Sequence, residues 1–401
     1  MQETILITSN AYFPNIGGVE NSLRYLANSY TDMGYKVLVV VSEVSIDGKT
    51  LPTVEVIDNV TIYRYSSFAH LNGIRKCCRS ICSAFNAWTL LRKLRRNNNI
   101  ILTLSRFHTT TLLAKLAKLP NIIYLVPGVV KNQNNSTNLV KNSGINKLKL
   151  NLSLTLHHFI QKNAFRHCDQ VFVFSQNMVK QIADVLPALG NIPIVKPGVD
   201  SERFYPANNK LELRSLYKVP TDKIVLLTVG RFVRAKGFEL VIEAMKKLPQ
   251  CHLVMVGDGE NMSVIKQKIK TNNLDNQVSL VGSQSNTVPY YQLADIFLMS
   301  STYEPLGQTI LEALSTELPI VAFKGNSVTT ATQELLSENE AVYTDNITSD
   351  GLIASINKLT NTQSLMDDLS AQGRTIATAR FSWQTLAKQI LDFSCNDAKH
   401  S

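Results

Sequence analysis

Short runs of β-branched and aliphatic residues alternate with longer stretches of helical periodicity along almost the whole chain. A strand, a helix and then another strand is the pattern of a parallel sheet, because parallel neighbours need a crossover and a helix supplies it. In the first half the strand-like runs cover residues 5–8, 36–41, 60–65, 100–104, 122–126 and 170–174. The second half repeats the scheme with runs at 224–228, 252–256, 278–281, 296–299 and 319–323. Its helices are predicted over 239–247, 262–272, 289–294, 309–315 and 327–336. A length of 401 residues with 44% hydrophobic content suits two domains, each with its own core. The expectation is therefore an α/β chain of two doubly wound parallel sheets, which implies a cleft. Pro193 and Pro197-Gly198 interrupt the regular pattern at 194–199, so the domains are expected to be 1–195 and 196–380. Residues 381–401 then form a closing helix, roughly 383–393.

Charge divides the same way. The net charge of +10 is unevenly placed, with 22 Lys and Arg against 9 Asp and Glu in residues 1–196. Between Asp58 and Asp169 there is no acidic residue at all, while 17 Lys and Arg fall in that interval. Such a field attracts polyanions or an anionic leaflet, each nearby cation contributing about 1 kcal/mol at a charged bilayer. Nucleic acid is not the expected partner, because stacking aromatics are sparse in the basic interval and no nucleic-acid module is present. The segment from Gly73 to Arg96 reads as one or two basic amphipathic helices carrying Phe85, Trp88 and Leu91. It suits a membrane surface, or equally an ordinary surface helix with its apolar stripe in the core. Residues 131–149, rich in Asn and Lys, are expected to form a mobile loop of the kind that borders a binding site.

No run of about 18 apolar residues is present, and Glu3-Thr4-Ile5-Leu6-Ile7-Thr8 enters a strand directly, without the basic-then-apolar form of a secretory leader. A cytoplasmic protein is expected. Cys77, Cys78, Cys82, Cys168, Cys251 and Cys395 make no disulfide framework in a chain of this size and show no zinc-like partner pattern.

Two motifs carry chemistry. Glu304 and Glu312 lie in Ser301-Thr302-Tyr303-Glu304-Pro305-Leu306-Gly307-Gln308-Thr309-Ile310-Leu311-Glu312, where an apolar strand hands over to a helix. Two carboxylates around a Gly-containing turn can grip hydroxyl groups while the turn's N–H groups face a phosphate. Upstream, Val229-Gly230-Arg231-Phe232-Val233-Arg234-Ala235-Lys236-Gly237 follows the strand-like run 224–228, which puts Arg231 and Lys236 at its carboxyl end, where open parallel sheets bind ligands. Fixed cations there lower the barrier for departure of a diphosphate, the arginine as a fork and the lysine as a point charge.

Together, Arg231, Lys236 and the Glu304-x7-Glu312 pair resemble the signature of family 4 of the retaining glycosyltransferases, which have the GT-B fold of two Rossmann-like domains. Tyr12-Phe13-Pro14-Asn15-Ile16-Gly17-Gly18-Val19-Glu20 is similar to that family's glycine loop. Cys168 to Ser175, Pro197-Gly198-Val199-Asp200, Phe204-Tyr205-Pro206 and Phe381-Ser382-Trp383-Gln384 match in order and spacing. The resemblance implies that Glu312 bonds the nucleotide ribose, that Glu304 contacts the donor sugar near the reacting centre, and that Leu306, Gly307, Gln308 and Thr309 offer backbone N–H groups. Gly17 and Gly18 would let the backbone approach the diphosphate or sugar closely, and Val281-Gly282-Ser283 would lie along the base. Gly257-Asp258-Gly259-Glu260 shapes a neighbouring loop. It also implies that the closing helix crosses back onto the first domain.

The chain departs from the family where many members place a histidine, since Val126-Pro127-Gly128-Val129 has none. His108 is the nearest candidate for an acceptor-side or catalytic polar group, and a structural histidine is the other reading. Arg231 and Lys236 already supply the neutralising charge, so no metal or other cofactor is expected and the nucleotide sugar is a substrate. The implied activity is a metal-independent hexosyl transfer from a UDP- or GDP-linked sugar to a lipid-linked or polysaccharide acceptor. It would serve capsule, O-antigen (lipopolysaccharide) or exopolysaccharide assembly, peripherally on the inner face of the cell membrane. The alternatives are a soluble, protein or polymer acceptor, or a non-catalytic partner subunit that keeps the fold.

Overall fold

The computed structural model describes residues 2–15, 17–43, 50–68, 76–131, 144–304, 306–325 and 328–397. They form two compact units, one holding the described residues up to Val195 together with those from Trp383 onward, the other Lys196–Ser382.

In the first unit the strands are β1 (Glu3–Thr8), β2 (Lys36–Ser42), β3 (Val54–Ile57), β4 (Val60–Tyr65), β5 (Asn99–Ser105), β6 (Ile122–Leu125) and β7 (Gln170–Phe172). They make a seven-stranded sheet in the order β3-β4-β2-β1-β5-β6-β7. Its helices are α1 (Gly18–Asp32), α2 (Lys76–Asn97), α3 (His108–Leu116), α4 (Gly144–His167) and α5 (Gln176–Ala183). Neighbouring strands are parallel apart from the β3–β4 hairpin. That edge strand is absent from the sequence reading. Val54 and Val56 face water, so the run lacks the apolar continuity of a strand buried on both faces. Asp58 and Asn59, both at positive φ, supply the two-residue turn. Leu91 and Leu94 of α2 join Leu6, Leu38 and Val40 in one core cluster, while Phe165 and Ala164 of α4 join Tyr124 and Val171 in another.

The loop expected over 131–149 needs correction. Residues 132–143 lie outside the described residues, but 144–149 are helical in α4. The alternation Leu148-Lys149-Leu150-Asn151-Leu152-Ser153-Leu154-Thr155-Leu156 has the period of a strand, not of a helix. Wound at 3.6 residues per turn instead, the segment leaves Leu156 exposed.

The second unit contains α6 (Lys210–Leu216), β8 (Ile224–Val229), α7 (Phe238–Met245), β9 (Cys251–Val256), α8 (Met262–Thr271), β10 (Val278–Gly282), α9 (Val288–Leu293) and β11 (Ile296–Met299). There follow β12 (Tyr303–Glu304), α10 (Gln308–Ser315), β13 (Ile320–Phe323), β14 (Thr329–Thr330), α11 (Thr332–Leu335), β15 (Val342–Thr344), α12 (Ser349–Thr360) and α13 (Gln363–Arg380). Six parallel strands order as β10-β9-β8-β11-β13-β15, beside the small parallel pair β12–β14. Leu226 packs into one core cluster and Leu227 into another, so the sheet is covered on both faces and its strands read as unbroken apolar runs.

The helix expected over 327–336 is shorter than predicted. Thr329–Thr330 pairs with Tyr303–Glu304, and only Thr332–Leu335 is helical. The final helix α14 (Trp383–Asp397) packs within the first unit, where Trp383 stacks on Tyr25 at 5.5 Å and Phe393 meets Phe172 edge-on at 5.1 Å. In each sheet the strand order reverses once, between β1 and β5 and between β8 and β11. Crevices at the carboxyl ends of strands form at such switch points.

Candidate functional site

The second unit builds its site at the β8–β11 switch point. After β8 the chain makes a single 3-10 turn, Arg234–Lys236, which ends in Gly237 at φ 64°. A Cβ on Gly237 would lie 2.1 Å from the Ser300 carbonyl oxygen, so glycine is required both by the left-handed backbone and by the close approach. The loop leaving β11 is bonded to that turn: Ser300 Oγ donates to the Lys236 carbonyl at 2.7 Å and the Thr302 N–H to the Ala235 carbonyl at 2.8 Å. These bonds carry Lys236 to Glu304, and Lys236 Nζ forms an ion pair with Glu304 Oε2.

Glu304 also lies at the head of α10, where its Oε1 accepts the Gly307 N–H at 3.3 Å. Burial by itself would raise the Glu304 carboxyl, but the Lys236 charge and hydrogen bond, with the backbone N–H groups of Gly307 and Leu306, outweigh it and lower the pKa. Two of the four N–H groups expected to face a ligand are thus directed at Glu304. Gly307 precedes α10 at φ 75°, the left-handed conformation that turns the chain into the helix. At the same helix start, Gln308 Nε2 donates to the Gly198 carbonyl at 3.2 Å, whereas Gln308 Oε1 and Thr309 Oγ1 are buried without a hydrogen-bond partner. Unpaired buried acceptors and donors at a helix head suit a polar ligand.

Glu312 follows just over one turn along α10. Its Oε2 accepts the Tyr291 hydroxyl at 2.7 Å, and Tyr291 is wholly buried between Phe204 and Phe297. Burial pushes the Glu312 carboxyl up to about 7, against the smaller lowering effects of the Tyr291 hydrogen bond and the Arg203 charge. Tyr291 is a positioning residue that sequence reasoning passed over, because Val288–Leu293 shows only as a short apolar helix.

Arg231 is exposed at the exit of β8, and neighbouring loops brace that exit. The Phe232 N–H donates to the Asp258 carbonyl and the Gly257 N–H to the Gly282 carbonyl, each at 2.8 Å. Gly282 therefore closes β10 against the same group of loops that holds Arg231. Asp258 Oδ1 accepts the Gly259 N–H at 2.7 Å, in keeping with a loop-shaping part.

In the first unit, Gly17 opens α1 in extended backbone, and a Cβ there would meet Glu20 Oε2 at 2.4 Å; around Gly18 the same space is open. Burial raises the Glu20 carboxyl, with the Arg106 charge opposing. Arg106 itself is fully buried, donates to Ser22 Oγ at 2.5 Å and lies over the Phe174 ring. His108 opens α3 in a buried position, with Nε2 2.8 Å from His157 Nδ1. Burial, then the His157 charge, lowers the His108 pKa to about 4, so the ring is neutral at ordinary pH. Among the described residues no group of three or more His, Cys, Asp or Glu is arranged to hold a metal, and no helix is long and apolar enough to cross a membrane.

Two parallel-sheet α/β units of this kind define the GT-B class, and comparison with solved structures agrees. A crystal structure of Anabaena Alr3699/HepE in complex with UDP-glucose superposes with a TM-score of 0.77 at 18% identity, covering 98% of this chain and 99% of that one. The pattern of Glycosyltransferase Family 4 matches residues 16–203 and that of Glycosyl transferases group 1 matches residues 209–376. The chain belongs to this family of group 1 glycosyltransferases. It is similar to the lipopolysaccharide core biosynthesis glycosyltransferase LpsE of Rhizobium meliloti, 29% identical over 44% of this chain and 52% of that protein. It thus matches about half the length of that relative. The alpha-monoglucosyldiacylglycerol synthase of Acholeplasma laidlawii is 26% identical over 79% of each chain.

Proposed function

We propose that the protein is a retaining, metal-independent glycosyltransferase that moves a hexosyl-type group from a UDP- or GDP-linked sugar to a lipid-linked or polysaccharide acceptor. The observation that carries this reading is the Lys236–Glu304 pair, set at the β8–β11 switch point beside the head of α10. Lys236 and the exposed Arg231 place fixed positive charge where a diphosphate leaves, so no reorganisation is needed as its charge grows. Glu304 meets the donor sugar, and Glu312, held by Tyr291, meets the ribose hydroxyls. With a pKa of about 7 its carboxyl both donates and accepts hydrogen bonds near neutrality. The basic first unit holds the acceptor. Bacterial surface glycan assembly on the inner face of the membrane fits that charge, and the names of the Rhizobium and Acholeplasma relatives support it.

The test is a thermal-shift screen against UDP, GDP, ADP and their sugar conjugates in EDTA, with Glu312→Ala beside the wild type. A ligand that binds only the native state raises Tm by mass action. One nucleotide is expected to raise Tm in the wild type alone. No response to any nucleotide would refute the reading.

A further inference from the structure

One buried carboxylate of the first unit has no counter-ion. Residues 1–196 hold 22 Lys and Arg against 9 Asp and Glu, so cations are plentiful there. Asp58 pairs with Arg24, Glu55 with Arg64 and Asp169 with Lys115, and the Arg106 charge acts on Glu20. Glu43 is only 9% exposed, yet among the described residues no cation lies within ion-pairing distance of it. Buried charges are otherwise paired, because one left uncompensated is costly.

The sheet puts Glu43 where ligands bind. It directly follows β2, and Ser66 and Ser67 directly follow β4, the parallel neighbour of β2, so all three lie at the carboxyl edge of the first sheet. On the other side of β2 is β1, whose outgoing loop is bonded to the same place. Ser42 N–H and Oγ both donate to the Asn10 carbonyl, at 3.2 and 2.9 Å, and Arg64 Nη2 donates to the Phe13 carbonyl at 2.8 Å. Glu43 is therefore one strand away from the loop that carries Gly17 and Gly18.

The carboxylate is held by one oxygen only. Oε1 accepts Ser66 Oγ at 2.8 Å and the Ser67 N–H at 2.9 Å, while Oε2 has no hydrogen-bond partner among the described residues. From α2, Arg79 Nε donates to the Ser67 carbonyl at 3.1 Å and fixes the strand end that holds Oε1. Ser67 Oγ is itself buried without a partner. An open acceptor and an unpaired hydroxyl thus belong to two residues that are hydrogen-bonded to each other. The surrounding charge narrows what completes them. The 17 Lys and Arg between Asp58 and Asp169 disfavour a cationic ligand, and Glu43 itself disfavours a phosphate in direct contact. A hydroxyl group is neutral and both donates and accepts, which suits the pair.

We propose that Glu43 and Ser67 form an acceptor subsite, in which Glu43 Oε2 accepts a hydrogen bond from a hydroxyl of a neutral sugar. The inference rests on the transferase reading for the part this sugar plays, not for its binding.

The test is saturation-transfer NMR of the full chain titrated with methyl α-glucoside, methyl α-mannoside and methyl β-galactoside, for the wild type, Glu43→Gln and Ser67→Ala. Glu43→Gln keeps an oxygen for Ser66 and Ser67 and replaces the free oxygen by an amide nitrogen, which cannot accept. At least one glycoside is expected to bind the wild type at millimolar concentration, roughly tenfold more weakly to Glu43→Gln and several-fold more weakly to Ser67→Ala. Ser67→Ala removes only an unpaired buried hydroxyl, so it is expected to fold and keeps the proposal testable where Glu43→Gln does not. Equal affinity of the three proteins for every glycoside, or no binding of any glycoside to the wild type, overturns the proposal. The nucleotide thermal shift is read on the same samples. It should be equal in all three proteins, and its absence from the wild type would count against the transferase reading, not against the subsite.

Discussion

Removing the Lys236 charge should expose how much of the donor site depends on it. The Lys236 and Glu304 side chains are only 18% and 15% exposed, so Lys236→Met leaves a carboxylate largely cut off from water. Breaking one side of a buried pair costs about 3–5 kcal/mol, and the remaining N–H groups of Gly307 and Leu306 recover part of this, so a loss of about 3 kcal/mol at neutral pH is expected. In the wild type the Glu304 pKa is lowered, so its stabilisation is present above the ordinary carboxylate range and is lost as pH falls through the lowered value. In Lys236→Met burial prevails and raises that pKa. The deficit against the wild type should therefore shrink as acid protonates Glu304 in both proteins. Trp88 and Trp383 both belong to the first unit, so their fluorescence does not follow this loss. Hydrogen exchange of the Ile224–Val229 amides does, because β8 is central in the second sheet. Exchange equal to the wild type at neutral pH, or a deficit independent of pH, would refute the argument.

Glu312 predicts the opposite slope. Its folded pKa of about 7 lies above the ordinary 4.5, so the unfolded chain ionises first and stability is lost as pH rises between the two values. The whole shift corresponds to about 3 kcal/mol, and partial access to water reduces this to roughly 1–2 kcal/mol, which Glu312→Gln should remove; calorimetric unfolding at pH 5 and 8 checks it, and an unchanged slope in the variant would count against it. Gly237→Ala should cost about 3 kcal/mol or more, because the new Cβ meets the Ser300 carbonyl at a left-handed φ; thermal unfolding within about 1 kcal/mol of the wild type would show that the two loops are not locked together.

Much of the fold is legible because most strands are buried on both faces. Ile224–Val229, Cys251–Val256 and Ile320–Phe323 are apolar runs with turn residues nearby, and that composition is local. The elements that escaped are those whose local signal is weak or misleading. β3 is an exposed hairpin edge, β15 has three residues, and Thr329–Thr330 becomes a strand only by pairing with Tyr303–Glu304. In α4 a strand-like alternation is overridden, and Leu156 is left at the surface.

The sequence by itself determined the two α/β halves, the loops that follow their strands, the uneven charge, and which residue types could hold a sugar nucleotide. Each of these is a property of neighbours along the chain. Only the tertiary structure decided that Lys236 and Glu304, 68 positions apart, form one ion pair, that Tyr291 bonds Glu312, and that His108 is turned inward to His157. The first of these depends on strand order: β8 and β11 are distant in sequence but adjacent in the sheet, and the loops that leave them are brought together by that adjacency.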